Sequence, residues 1–291
     1  MVINSYFFTH GDTRLEDKSH VISTVDRDAY MTNEYAKLSK QYFESLNLKG
    51  STALLVAAGP ASHHSESRVF NGNYKNGSVA IKSQASYGMF NIAKLFRNVE
   101  LDYANINANT CASSMHCIYE AYDLIHNKGF SHVIVIAMEQ VEESELLLFR
   151  QLNIDLVCGD GFCFMVLSKE CENPLAEINS TSFIWNREHH PMFVSKEGYL
   201  KLISKLDNNV DLIKPHGTGT GVNDDAENSA IQEVFGDIQK IYYKDKIGHT
   251  QGASAVLELA MLCDEIKKDT TAMCLASGLG GFYGGCTIRK F

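Results

Sequence analysis

The stretch from Asn109 to Ile118, NTCASSMHCI, places two thiols six positions apart with an imidazole beside the second. Metal ligation, disulfide exchange and attack by a single thiolate all use such residues. A strand-length run, 104–110, precedes Cys111, and a helix-length run, 112–128, follows it. Cys111 therefore sits near unpaired helical N–H groups and the positive end of a helix dipole, a setting that favours thiolate over thiol. At ~100° per residue, Cys117 falls roughly 120° around the helix and ~9 Å along it, too far for a disulfide. His116 points away by roughly 140° on the same count. Cys117 reads as a core thiol and His116 as a packed or partly exposed histidine. On position alone Cys111 is a candidate nucleophile, with a buried bystander thiol as the alternative.

Three more stretches carry chemistry. In KPHGTGTGVNDDAENSAI (214–231), His216 enters a loop of alternating glycine and threonine. Such a loop tolerates unusual dihedrals and turns hydroxyls outward, so it can hold a histidine beside a ligand or simply make a structural turn. No phosphate-loop pattern is present. In KDKIGHTQGASAVLELA (244–260), His249 precedes a helix that is apolar nearly all round and therefore buried. The dipole at that N-terminus biases its imidazole towards the neutral form. Lys244 needs a partner if it lies near a buried site, and Glu227 is the candidate. In ASGLGGFYGGCTIRKF (276–291), the glycines either bring backbone N–H groups to a ligand or close a tight hairpin between the last two strands.

The elements that position these residues follow from apolar periodicity. Strands are expected at 52–58, 104–110, 132–138, 162–168, 210–215, 240–244, 272–277 and 286–291. Helices are expected at 25–46, 112–128, 224–235 and 250–268. Their alternation indicates an α/β fold. The 170–180 stretch reads as the junction between an N-terminal half, 1–170, and a C-terminal half, 171–291. Each half places a reactive residue, Cys111 or His249, between a strand and a helix that opens with small residues, as a duplicated fold would.

Length and composition bound the rest. The 291 residues suit one large domain or two packed halves, and 45% apolar with 21% charged residues is a globular balance. A net charge of −9 argues against a general nucleic-acid binder. The apolar runs are too short to span a membrane, and no signal peptide is read, so a cytoplasmic protein is expected. The eight cysteines fall mostly in apolar segments and read as buried free thiols.

Taken in order, TCASS at 110–114, CGDG at 158–161, HGTGT at 216–220 with Asn223, Asp224 and Glu227, KDKIGH at 244–249 and GLGG at 278–281 resemble the β-ketoacyl synthases of the thiolase superfamily, on the elongating branch. The resemblance implies a five-layer αβαβα fold built from two pseudo-repeated halves. It implies a decarboxylative Claisen condensation by Cys111, His216 and His249. Lys244 and Glu227 would orient the histidines, and Thr218 and Thr220 would contact phosphopantetheine. Backbone N–H groups of Cys111 and Leu279 would hold the oxyanion, with Leu279 and Gly280 in the acyl gate. No metal or bound cofactor is implied. The substrates ride on an acyl carrier protein, and a homodimer or a heterodimer with a ketosynthase-like or chain-length-factor subunit is expected. A non-catalytic chain-length-factor-like role is the alternative, and a thiol acyltransferase or hydrolase a more distant one.

The chain departs from the family pattern in five respects. It is short, its opening MVINSYFFTHGDTR lacks a glycine-rich strand, and LLLFRQLNID stands where a stretch with phenylalanine, aspartate and arginine is expected. Leu279 replaces the gating phenylalanine, and the spacing from Cys111 to His216 is compressed.

Overall fold

The computed structural model describes residues 1–25, 31–58 and 85–291. Among these residues ten strands make one sheet. In chain order β1 (Val2–His10) is followed by a two-stranded ribbon, β2 (Thr13–Arg14) with β3 (His20–Val21), and then by β4 (Thr52–Ala58), β5 (Tyr103–Asn107), β6 (His132–Glu139) and β7 (Gly161–Ser168). The second half supplies β8 (Ala176–Trp185), β9 (Leu212–Lys214), β10 (Gln239–Lys240), β11 (Thr271–Gly278) and β12 (Phe282–Lys290).

The sheet order is β10-β9-β11-β12-β8-β1-β7-β6-β4-β5. Outward from the middle, β1-β7-β6-β4-β5 and β8-β12-β11-β9-β10 are the same arrangement used twice. In each, the first two pairings are antiparallel and the last two parallel. The halves meet edge to edge at just two residue pairs, Val2 with Glu177 and Ile3 with Ala176.

Two helices fill the space between the halves. Helix Ser113–His126 packs on β4 and β6 on one side and on β8 and β12 on the other. Helix Ser254–Glu265 packs on β1 and β7 and on β11. Strand β6 shows how the layers form: Val133, Val135 and Ala137 face this central layer. Ile134, Ile136 and Met138 face the outer cluster, with Phe43 of helix Met31–Ser45 and Ile92 of helix Ala85–Ala93. A strand covered on both faces reads as a continuous apolar run. On the far side Tyr199, Leu202, Ala230 and Ile231 of helices Lys196–Ile203 and Gly221–Phe235 cover Ile213, Met273 and Leu275. The result is the five-layer αβαβα fold of two pseudo-repeated halves.

Several expected elements shift. The strand expected at 104–110 ends at Asn107, because Thr110–Ala112 form a 3₁₀ turn into the helix. The strand expected at 240–244 stops at Lys240. Lys244 instead opens one helical turn, Lys244–Ile247, closed by Gly248 at φ +75°. The helix expected at 25–46 runs Met31–Ser45, and 26–30 lie outside the described residues. The opening segment is a central strand without glycine, paired with β7 along its length. Residues 176–180 of the expected junction belong to β8, whose polar face hid it: Ser180 Oγ bonds Thr287 Oγ1 of β12 at 2.7 Å.

The halves also interlock through their loops. His249 N donates to Val157 O at 2.6 Å, and Gly159 N to His249 O at 3.0 Å. A Cβ on Gly159 would stand 2.0 Å from Ile247 O, and one on Gly248 would stand 2.6 Å from Cys158 O. Only glycine permits this approach. Gly159→Ala is therefore expected to cost about 1–3 kcal/mol and lower the melting temperature by several degrees. Gly221→Ala, where an added Cβ meets nothing within 4 Å, serves as the neutral comparison in the same thermal melt. Equal melting temperatures would refute the close-approach account.

Candidate active site

Cys111 lies in the turn between β5 and helix Ser113–His126. Thr110 ahead of it adopts φ +52°, a left-handed conformation rarely taken by a branched residue. The turn is tied on both sides by Ser113, whose Oγ accepts from Asn109 N at 2.8 Å and donates to Thr110 O at 2.6 Å. The half-buried Cys111 thiol donates to Gln251 Oε1 at 3.5 Å. His116 instead bonds Asn109 Oδ1 through Nδ1 at 2.6 Å and stacks on Phe183 with ring centroids 4.2 Å apart. Cys117 is fully buried, its pKa pushed up to about 12 by burial. All eight cysteines are free thiols.

His216 follows β9, and helix Gly221–Phe235 holds its loop with two carboxylates one turn apart. Glu227 accepts from His216 N at 2.7 Å and Gly217 N at 2.9 Å. Asp224 accepts from Thr218 N and Gly219 N, each at 2.9 Å. Thr218 and Thr220 lie half-buried, their hydroxyls 2.6 Å apart. Gly217 and Gly219 supply φ +54° and +78°.

His249 lies beside His216, with ring centroids 5.2 Å apart and planes at 78°. Its Nδ1 accepts the backbone N–H of Gln251 at 3.1 Å and lies 3.0 Å from Ser254 Oγ. A backbone amide can only donate, so Nδ1 is the acceptor and the proton of the neutral ring sits on Nε2. Burial, reinforced by the Lys244 charge, holds both imidazoles well below the ordinary histidine pKa. Both are neutral at neutral pH.

The partner of Lys244 is not Glu227. Lys244 Nζ pairs with Glu258 Oε1 at 2.7 Å and donates to His216 O at 2.5 Å. Glu227 faces the backbone of its own loop, whose amide donors it satisfies. Glu258 also contacts Lys214 directly, so one buried carboxylate bridges two buried lysines. Burial would raise the Glu258 pKa, but the two lysines hold it below the usual carboxylate value. Lys244 is lowered, by burial first and against the pull of Glu258. Sequence reasoning missed Lys214, Glu258 and Gln251. The available signal was Glu258 itself, an acidic residue in an otherwise apolar buried helix.

The β11–β12 turn is the hairpin that one reading expected, and it also abuts the cysteine turn. Thr110 Oγ1 donates to Leu279 O at 3.3 Å, and a Cβ on Gly278 would lie 2.4 Å from Thr110 Oγ1. Gly280 N donates to Pro191 O at 2.7 Å. Leu279 is 47% exposed. The structure also re-registers the echo between halves. The turn Thr110–Ala112 before Ser113 matches Gln251–Ala253 before Ser254, with φ +52° at Thr110 and +43° at Gln251. Gly252 therefore occupies the place of Cys111, and His249 lies three residues earlier. Among the described residues no group of three or more His, Cys, Asp or Glu could hold a metal ion, and no helix is long and apolar enough to cross a membrane.

Residues 196–276 match the family model described as Beta-ketoacyl synthase, C-terminal domain. The non-reducing polyketide synthase sorB of Penicillium rubens is 31% identical over 129 residues, which are 35% of this chain and 5% of that protein. The chain thus aligns with a small fraction of the length of the curated relatives it matches. Among solved structures, the ishigamide ketosynthase/chain length factor superposes with a TM-score of 0.81 at 14% identity, covering 97% of this chain and 91% of that one. The AntDE:AntF complex, a type II acyl-carrier protein with its ketosynthase bound to the hexaketide, gives 0.78 at 18% identity, covering 94% and 89%. The fold is the thiolase fold of the ketosynthases. Within that fold, residues 196–276 match the C-terminal domain of the β-ketoacyl synthases.

Two neutral buried histidines make stability pH-dependent. Their native pKa values lie well below the ordinary histidine value of about 6.5, so the unfolded chain takes up protons first as pH falls. Stability is therefore expected to fall below about pH 6.5, by up to about 1.4 kcal/mol per pH unit for each histidine. Glu227, raised by burial, opposes this at lower pH. Urea midpoints between pH 7.5 and 5.5 should fall in the native protein and fall less steeply in His249→Asn. Glu258→Gln should destabilise by about 3–5 kcal/mol at pH 7, because it strands two buried ammonium groups. A variant within 1 kcal/mol of the native protein in urea titration, with ~1 kcal/mol as the margin for a minor surface change, would contradict that role.

Proposed function

We propose that this chain is a β-ketoacyl-carrier-protein synthase that extends a Cys111-bound acyl chain with malonyl-carrier, in fatty-acid or polyketide-type biosynthesis. The observation that carries the reading is the state of His249. Its Nδ1 is occupied by Gln251 N–H, its Nε2 bears the proton, and His216 stands beside it, equally neutral. A pair of neutral donors suits an oxygen that becomes negative during reaction.

The chemistry runs in two stages. The Cys111 thiolate attacks the thioester carbonyl of an acyl chain on phosphopantetheine. The tetrahedral oxyanion collapses and expels the carrier thiolate, which takes a proton, leaving the acyl group on Sγ. Malonyl-carrier then loses carbon dioxide as its carboxylate C–C bond breaks, and the electron pair passes into an enolate whose oxygen accepts from His216 and His249. The enolate carbon attacks the acyl-cysteine carbonyl, a C–C bond forms, and the Cys111 thiolate leaves. Backbone N–H groups of Cys111 and Leu279 receive the oxyanion, Leu279 and Gly280 gate the acyl path, and Thr218 and Thr220 contact the pantetheine arm. Lys244 positions His216 through its carbonyl, and Glu227 does so through its amide.

The acyl donor is an acyl carrier protein, and the working assembly is a homodimer or a heterodimer with a ketosynthase-like or chain-length-factor subunit. A chain-length-factor-like role for this chain itself is the second reading, favoured by the similarity to the ishigamide ketosynthase/chain length factor. Retention of Cys111, His216 and His249 supports the catalytic reading over it.

Intact-mass spectrometry with acyl-pantetheine probes should show one acyl adduct on the native chain and none on Cys111→Ala. Iodoacetamide should label Cys111 first. Adducts confined to other cysteines would overturn the assignment. His249→Ala should slow carbon dioxide release from malonyl-pantetheine by about 10²–10³-fold while loading falls less. Loss of loading with decarboxylation preserved would reverse the roles.

A further inference from the structure

Gln251 holds a buried donor that no described residue receives. The residue is 8% exposed, its Oε1 accepts from the Cys111 thiol at 3.5 Å, and its Nε2 has no partner among the described residues. Buried amide hydrogens are nearly always satisfied, so an orphan beside a reactive thiol marks a place where a ligand atom is expected. The residue is also held in place: it adopts φ +43°, and its backbone N–H is fixed on His249 Nδ1. Non-glycine residues keep such a conformation only where their surroundings enforce it, typically at functional sites.

Resting on the reading of Cys111 as the acyl acceptor, we propose that Gln251 selects acyl chains bearing an oxygen on the carbon β to the thioester. The two heteroatoms of an amide are about 2.3 Å apart by bond geometry. Nε2 therefore lies within about 6 Å of Cys111 Sγ, the zone through which the first carbons of a bound chain must pass. Acylation removes the S–H that Oε1 accepts and adds a chain beside the amide. A β-oxo group offers Nε2 its missing acceptor. A saturated chain covers the amide and leaves it unpaired, and a site built to donate a hydrogen bond discriminates strongly against such an analogue.

The test compares acetoacetyl-pantetheine with butyryl-pantetheine, which match in carbon number and differ at the β position. Loading of the full chain is followed by intact mass, and each rate is divided by that for free glutathione to cancel intrinsic reactivity. The native protein should favour the oxo chain by about tenfold or more. Gln251→Leu and Gln251→Met should each bring the ratio close to one. A native ratio near one, or a preference that survives in either folded variant, overturns the proposal. Loading of both chains without preference would fell this selectivity and leave Cys111 as the acyl acceptor. Loading of neither would fell the reading of Cys111 as acyl acceptor, and this selectivity with it.

Discussion

A single carboxylate, Glu258, stands between two ammonium groups in the interior, and the site is arranged around it. Removing three charges from water is costly unless each finds a partner, so Lys214, Glu258 and Lys244 must stay together. They belong to strand β9, helix Ser254–Glu265 and the turn Lys244–Ile247, so the cluster locks those elements in register. One ammonium remains in excess of the carboxylate. That positive charge, added to burial, keeps His216 and His249 unprotonated, and Lys244 reaches the His216 carbonyl directly. The cluster thus sets both the position and the protonation of the two rings.

The duplicated sheet explains why the reactive groups come from distant parts of the chain. Each half sends one helix into the central layer, and the helices start close together, where Val256 N donates to Ser114 Oγ at 3.3 Å. The turns ahead of them are structural counterparts that have diverged. One carries Cys111, and the other carries Gly252 with His249 just before it. Gln251, the counterpart of Thr110, reaches across to the thiol.

Much of this was legible from apolar runs. Strands β4, β6, β7 and β11 are buried on both faces, and their sequences show it. Strands β1 and β8 were not legible, because their partly exposed faces carry Ser5, Thr9, Asn179 and Thr181 among the apolar residues. In β12, Gly284 packs against Met115 and Phe183, so missing side chains mark close packing where sequence reading sees a turn. Helix geometry correctly separated Cys111 from Cys117 and His116. The partner of Lys244 was misread because Glu227 lies in the adjacent motif, whereas Glu258 belongs to a helix whose rotation about its axis only tertiary packing settles.

The position of β1 has a consequence for biosynthesis. Its residues 2–10 lie beside 161–168 and touch β8 at 176–177. On a ribosome this segment, with the apolar triplet Tyr6–Phe7–Phe8, must wait until roughly 150 further residues have emerged before its docking place exists. Its unpaired edge is meanwhile open to intermolecular strand pairing. Nascent-chain arrest before and after release of residue 178 should therefore separate an aggregation-prone species from a protease-resistant one.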